Sequence, residues 1–302
     1  MTYPLKNQGG IALVVTLLAV ILIMSLVVEF SYGVYIGTGN LYNWRDSQRL
    51  SLMARSGIHV SAKMITDALK DADYSYPGVM EFPVENPFEG FKGSIMIRIE
   101  DESSRFNVNA LVPPNEIIRE DEPGSPYNCF KRLLRVLSLN ERIADRIVDW
   151  IDSDHEARDA DSEREAKNGR LASRDEILSI PGISRDDYNT LLPHITVYGT
   201  RDNLSINING AEKPVLRCLS EKITDELAQR VIDFRKNNPF QAIGELDNVA
   251  GFGGGMDIPA GVITVKGEDF SIQSAADAGG VKRIIETVLN LENSSIEYWK
   301  EY

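Results

Sequence analysis

Residues that perform chemistry are scarce in this chain. Its 302 residues include two cysteines, Cys129 and Cys218, and three histidines, His59, His155 and His194. No CxxC and no Cys/His pairing at zinc spacing occurs, which excludes the zinc sites a sequence can reveal. In an oxidising compartment the two cysteines could pair; two separate buried thiols are the alternative. The histidines stand far apart, and no HExxH, Gly-x-Ser-x-Gly or P-loop accompanies them, so no catalytic constellation emerges. His59 falls in a helical pattern and His194 beside a strand, and both read as structural. The run Gly253-Gly254-Gly255 belongs to no strand-linked GxGxxG and reads as a flexible turn. Positive charge is in deficit too: 32 Lys and Arg face 45 Asp and Glu, a net charge of −13. Phosphate contacts need a basic face, so nucleic acid is excluded as a partner.

Charge of either sign is missing altogether between Lys6 and Glu29. Ile11–Val28 is a continuous apolar stretch that, at ~1.5 Å per residue, nearly crosses a bilayer core. A secretory signal carries its cut site after the apolar run. Ser31-Tyr32-Gly33 offers such a site, but Gly9-Gly10 stands before the run. A cut after Gly10 would leave Ile11 as the mature N-terminus. That arrangement resembles the prepilin signals, whose leader a prepilin peptidase removes on the cytoplasmic side. Signals of this class usually have glutamate at the fifth mature position, where this chain has Val15. A carboxylate in a membrane helix is costly unless paired, and in pilins its partner is a neighbouring subunit's terminal amine. The resemblance implies that Val15 removes this docking charge and suits a subunit at a filament tip. Lys6 and the terminal amine place the N-terminus on the cytoplasmic side and the body outside.

Beyond the anchor, Leu41–Leu69 carries apolar residues at Leu50, Met53, Ala54, Ile58, Val60, Met64, Ile65 and Leu69, near a 3.6-residue period. The anchor therefore continues as one long helix, with Gly33, Gly37 and Gly39 as points where it could bend. Tyr74–Gly93 is rich in turn residues. Two strands follow, Ser94–Glu100 and Arg105–Asn109, read as a hairpin. The middle of the chain holds a degenerate repeat. Its first copy runs Asn107-Val108-Asn109-Ala110, a helix at Cys129–Leu137, Ala144–Trp150, and the hairpin Ile180-Pro181-Gly182-Ile183. Its second runs Asn207-Ile208-Asn209-Gly210, Pro214–Leu219, Ala228–Phe234, and Val249-Ala250-Gly251-Phe252. Strands His194–Gly199 and Val262–Gly267 close the copies, so two helical units are inserted between strands of one sheet. The hairpins resemble helix-hairpin-helix or SAM-like units, whose glycine allows close approach of the turn.

Taken in order, the Gly-Gly-Ile-Ala-Leu-Val-Val start without glutamate, Ser104–Leu111, Val148–Asp154, Asp175–Ile183 and Ile206–Asn209 resemble the type II secretion minor pseudopilins of the general secretion pathway protein K family. The resemblance implies an α+β fold: a pilin-like long helix and antiparallel sheet with a large helical insertion containing the two units. On this division residues 1–10 are the leader, 11–30 the membrane helix, and 31–110 the long helix and first strands. Residues 111–194 are the first helical unit, 195–210 pilin strands, 211–260 the second unit, and 261–302 the last strands and tail. It further implies a place at the pseudopilus tip beside I- and J-type minor pseudopilins. The major pseudopilin, the prepilin peptidase and the inner-membrane assembly platform are its other partners, and the body lies in the periplasm. A K-like minor pilin of a type IV pilus is the nearest alternative. A membrane-anchored DNA receptor is a more distant one, disfavoured by the acidic surroundings of both hairpins.

One stretch offers a binding site. Asp152, Asp154, Glu156 and Glu163 fall at positions 1, 3, 5 and 12 of an EF-hand-like loop, a carboxylate spread suited to Ca²⁺. Ala157 stands where an EF-hand needs glycine, so this is not a true EF-hand. Arg158 and Arg164 could instead pair these charges in a solvated loop. The family resemblance implies calcium in the globular region. Residues 159–170 depart from the family's usual Gly-Ala-Glu and Tyr pattern.

Overall fold

A computed structural model describes residues 9–75, 79–85, 93–160, 162–199, 204–253 and 256–302. Most of the leader and Gly254-Gly255 therefore lie outside the described residues. Helix α1 (Gly9–Leu69) leads to the strands β1 (Val79–Glu85) and β2 (Ser94–Asp101). A first unit follows: β3 (Phe106–Asn107), α2 (Pro126–Val136), α3 (Arg142–Ile151), α4 (Arg185–Leu191) and β4 (Ile195–Thr196). A second comprises β5 (Ile206–Asn207), α5 (Lys213–Cys218), α6 (Asp225–Asn237) and β6 (Ile263–Thr264). The chain then forms β7 (Asp269–Ala278), β8 (Val281–Asn290) and β9 (Ser295–Glu301).

The main sheet has the order β1-β2-β7-β8-β9, antiparallel throughout. Helix α1 divides into two halves of different character. Every residue from Gly10 to Arg45 is exposed. From Leu50 onward one stripe, Leu50, Met53, Ala54, Ile58 and Ile65, is buried against Ile95, Ile97, Ile99, Phe270, Ile272 and Ile285 of the sheet. Gly57 permits this contact, because a Cβ there would stand 2.3 Å from Ser274 Oγ. Helix α1 runs through Gly33, Gly37 and Gly39 without interruption. An isolated glycine costs a helix only ~1 kcal/mol, too little to break one this long.

The two helical units share a single larger core that includes Phe106, Phe130, Leu133, Ile147, Leu191, Leu216 and Phe240. Their Asn-x-Asn motifs do the same work. Asn107 Oδ1 accepts the Asn109 amide, while Asn109 donates to the carbonyls of Leu171 (3.0 Å) and Val197 (2.7 Å) and accepts from Leu171 N. Asn207 Oδ1 accepts the Asn209 amide, while Asn209 donates to Phe240 O (2.8 Å) and Val265 O (3.1 Å) and accepts from Phe240 N. Each buried amide is thus satisfied by the strand and loop that close its own unit.

Three strand expectations need correction. Arg105–Asn109 is not the partner of β2; its strand is two residues long and pairs in parallel with β4. Asn107 ends it by capping the turn Val108–Leu111. The stretches expected as pilin strands over 195–210 and at Val262–Gly267 also form short parallel ladders, β3–β4 and β5–β6, outside the main sheet. β2 pairs instead with β7 and with β1, which lies inside the turn-rich stretch. Pro83 is tolerated there because β1 is an edge strand.

Buried polar contacts join sheet and insertion. Asp101, at the end of β2, accepts from Asn207 Nδ2 (2.6 Å), Ser75 Oγ (3.2 Å) and Ser103 N (2.9 Å). Glu102 accepts from Thr196 Oγ1 at 2.6 Å and pairs with Arg105. Cys129 and Cys218 are both fully buried free thiols, and Arg132 donates to Cys129 Sγ (3.1 Å) and Cys218 O (2.7 Å).

Candidate metal centre and assembly surface

Helix α3 buries Ile143, Ala144, Ile147, Val148 and Ile151, and Asp149 is buried with them. Its last turn hands over to the acidic loop through Asp152, whose amide donates to Val148 O at 2.9 Å. Asp152, Asp154 and Glu163 each contribute a carboxylate oxygen to a cluster whose members lie within 4.8 Å of one another. Among the described residues, Asp152 Oδ1 and both oxygens of Glu163 are buried and find no hydrogen-bond donor. Burial, followed by the charges of Asp154, Glu163 and Asp149, pushes the Asp152 carboxyl up to about 7. Burial and the charges of Asp149 and Asp154 raise Glu163 in the same direction.

The nearby cations are engaged elsewhere. Arg158 pairs with Glu120 and stands 4.0 Å from Asp149, and Arg146 pairs with Asp159 at 2.6 Å. Orphaned buried carboxylate oxygens that converge with no ion-pair contact among the described residues suit a hard divalent cation. Calcium takes oxygen ligands in flexible geometry, and the three side chains fit that donor set.

Three of the four expected ligands therefore come together, and Glu156 does not. Asp154 Oδ1 accepts the Glu156 amide at 2.8 Å, a tight local turn that leaves the Glu156 side chain in solvent. The spacing of the acidic loop gives no place to Asp149, which is buried beside this site. The available signal is its position as a carboxylate inside the apolar run Ile147–Ile151. Further along the loop, Asn168 Oδ1 is buried with no partner among the described residues, while Nδ2 lies 3.3 Å from His155 Nδ1.

At the other end of the molecule, Gly10, Ile11 and Val15 occupy the first turns of α1, with Ile11 68% and Val15 58% exposed. Among the described residues α1 is the one helix long and apolar enough to cross a membrane. The exposed apolar surface continues beyond Arg45, at Leu52, Val60 and Met64.

A long helix, bare over its first half and laid on an antiparallel sheet over its second, defines a pilin-type subunit. The comparisons with known proteins refine this class. Two models described as type II secretion system (T2SS), protein K match residues 104–200 and 206–266. The type II secretion system protein K of Pseudomonas aeruginosa is 33% identical over 164 residues, an alignment spanning 50% of this chain and 47% of that protein. Its counterpart in Pectobacterium carotovorum subsp. carotovorum is 29% identical, with 68% of this chain and 67% of that protein aligned. A chain in the crystal structure of the GspK-GspI-GspJ complex from enterotoxigenic Escherichia coli shares the fold, with a TM-score of 0.70 at 18% identity. That superposition covers 87% of this chain and 99% of the other. The present chain belongs to the type II secretion system protein K family.

Proposed function

We propose that this chain is a non-enzymatic minor pseudopilin at the tip of a type II secretion pseudopilus, where it helps to initiate pseudopilus assembly. The observation that carries the reading is helix α1, exposed from Gly10 to Arg45, with valine at position 15. A bare apolar helix of this length needs a membrane before assembly and neighbouring helices after it. Val15 offers no carboxylate to a preceding subunit's amine, so the chain takes a position where none precedes it. Prepilin peptidase cleavage after Gly10, leaving Ile11 as the mature N-terminus, belongs to the same reading. So do a single inner-membrane span, a cytoplasmic leader and a periplasmic body.

The relevant partners are I- and J-type minor pseudopilins. The related fold was solved in a complex of GspK, GspI and GspJ. The surface available to them is the exposed side of α1 around Leu52, Val60 and Met64. Co-expression of full-length chains followed by gel filtration in detergent tests this: one stable heteromeric complex is expected. A chain that elutes alone beside every minor pseudopilin encoded with it contradicts it.

The inserted region reads as two SAM-like units adapted to protein contacts. Its hairpin charges are spent internally, with Arg174 on Glu286 and Asp175 on Lys300, which counts against phosphate binding. Asp152, Asp154 and Glu163 would hold Ca²⁺. Bound there, the ion would offset the mutual repulsion of the three carboxylates.

A further inference from the structure

Asp149 is wholly buried yet lies outside the cluster formed by Asp152, Asp154 and Glu163. Its Oδ2 accepts the amides of Arg158 (2.9 Å) and Asp159 (3.2 Å) and the hydroxyl of Ser162. All three donors belong to the segment that delivers Glu163 back over Asp152. From the same helix, Arg146 Nε donates to Asp159 Oδ2 at 2.6 Å. We infer that Asp149 is the positioning residue of the cation site: it gathers the returning arm of the loop so that Glu163 meets Asp152 and Asp154. This rests on the reading of the cluster as a calcium site.

The second unit serves as an internal control. The residue corresponding to Asp149 there is Asp233, exposed and satisfied by Gln229 and Lys236. Helix α6 reaches its hairpin turn, Ile243–Asn248, through residues 238–242 alone. In the first unit residues 152–173 intervene between α3 and the turn Arg174–Ser179. The acidic loop is thus a graft into one copy of a duplicated unit, and the aspartate is buried in the copy that carries the graft. Neutral backbone donors cannot replace a missing carboxylate there. Without Asp149, the amides of Arg158 and Asp159 lose their shared acceptor and the Ser162 hydroxyl falls back on Asp159 O, which leaves the Arg146–Asp159 pair to tie the arm to α3 and loosens its closure.

The test is calcium titration calorimetry on the full chain in detergent, with amide hydrogen exchange in chelator as a second readout. Asp149→Ala should weaken calcium at least ~10-fold although all three ligands remain, and should speed exchange at the Arg158 and Asp159 amides. Asp149→Asn keeps an acceptor oxygen and should recover most of both. Ser162→Ala, which removes one donor and leaves the core intact, should weaken calcium by a smaller factor and serves if Asp149→Ala does not fold. Wild-type affinity in Asp149→Ala, or in Ser162→Ala where the former does not fold, overturns the positioning role alone. A wild-type chain that binds no calcium overturns the cation reading, and the role with it.

Discussion

Arg146 and Arg230 make the same hydrogen bond in two different places. Each donates from Nη1, at 2.8 Å, to the carbonyl immediately before a hairpin glycine: Pro181 before Gly182, and Ala250 before Gly251. Both glycines have positive φ, 79° and 92°. In each unit a glutamate also accepts the amide four residues before it, Glu176 from Ala172 and Glu245 from Gln241. The two units are copies in their hydrogen bonding as well as in their sequence.

The copies differ in tolerance, which gives a first expectation. A Cβ at Gly182 would fall 1.0 Å from Arg146 Nη1, whereas at Gly251 the nearest atom is 3.1 Å away. Both alanine variants incur the left-handed backbone penalty, about 1–3 kcal/mol. Gly182→Ala must also displace Arg146, so it should cost ~1–2 kcal/mol more than Gly251→Ala. Urea unfolding of a fragment beginning at Leu41 measures the difference, and equal midpoints would contradict it.

A second expectation concerns pH. Asp269 is buried with Asn290 Nδ2 at 2.8 Å, and burial pushes its carboxyl up to about 7. The unfolded chain releases that proton near pH ~4. Between these values the folded state binds more protons, so stability should be greatest at the acidic end of the window. It should fall as pH rises from about 4 to about 7 and then level off. Asp101, pushed up to about 6 by burial, contributes in the same direction. Asp269→Asn keeps the acceptor for Asn290 and should flatten part of this decline. Melting temperatures of both proteins across the window, in chelator throughout, decide it; parallel curves would contradict it.

Calcium should reverse the acidic loop's own instability. At 100 times its dissociation constant a ligand stabilises the folded state by ~2.7 kcal/mol, so the melting temperature should climb with calcium. Magnesium should do much less, since it dehydrates reluctantly. The Asp152→Ala, Asp154→Ala double variant should lose the climb, and Glu156→Ala, altered in solvent, should keep it. Thermal melts with calcium, magnesium or chelator separate these cases.

Much of this was legible in the sequence because it is local. The buried stripe of α1 follows helical spacing, and the paired Asn-x-Asn motifs announce the duplication. Asp152, Asp154 and Glu163 declare themselves by charge. What the sequence hid depends on distant partners. β1 is concealed by Pro83, which only an edge strand accepts. The strands β3 to β6 look longer in sequence than they are, because Asn107 stops β3 by capping a turn instead of extending the alternation. The exclusion of Glu156 and the burial of Asp149 both follow from how the loop folds back on α3, and spacing carries no record of that closure.

The most direct measurement of the central claim is quantitative labelling of this subunit along isolated pseudopili that also contain the major pseudopilin. With valine at position 15 and no carboxylate to offer a preceding subunit, the label should sit at one end of each pseudopilus, in few copies. Uniform decoration along the shaft would contradict a place at the tip.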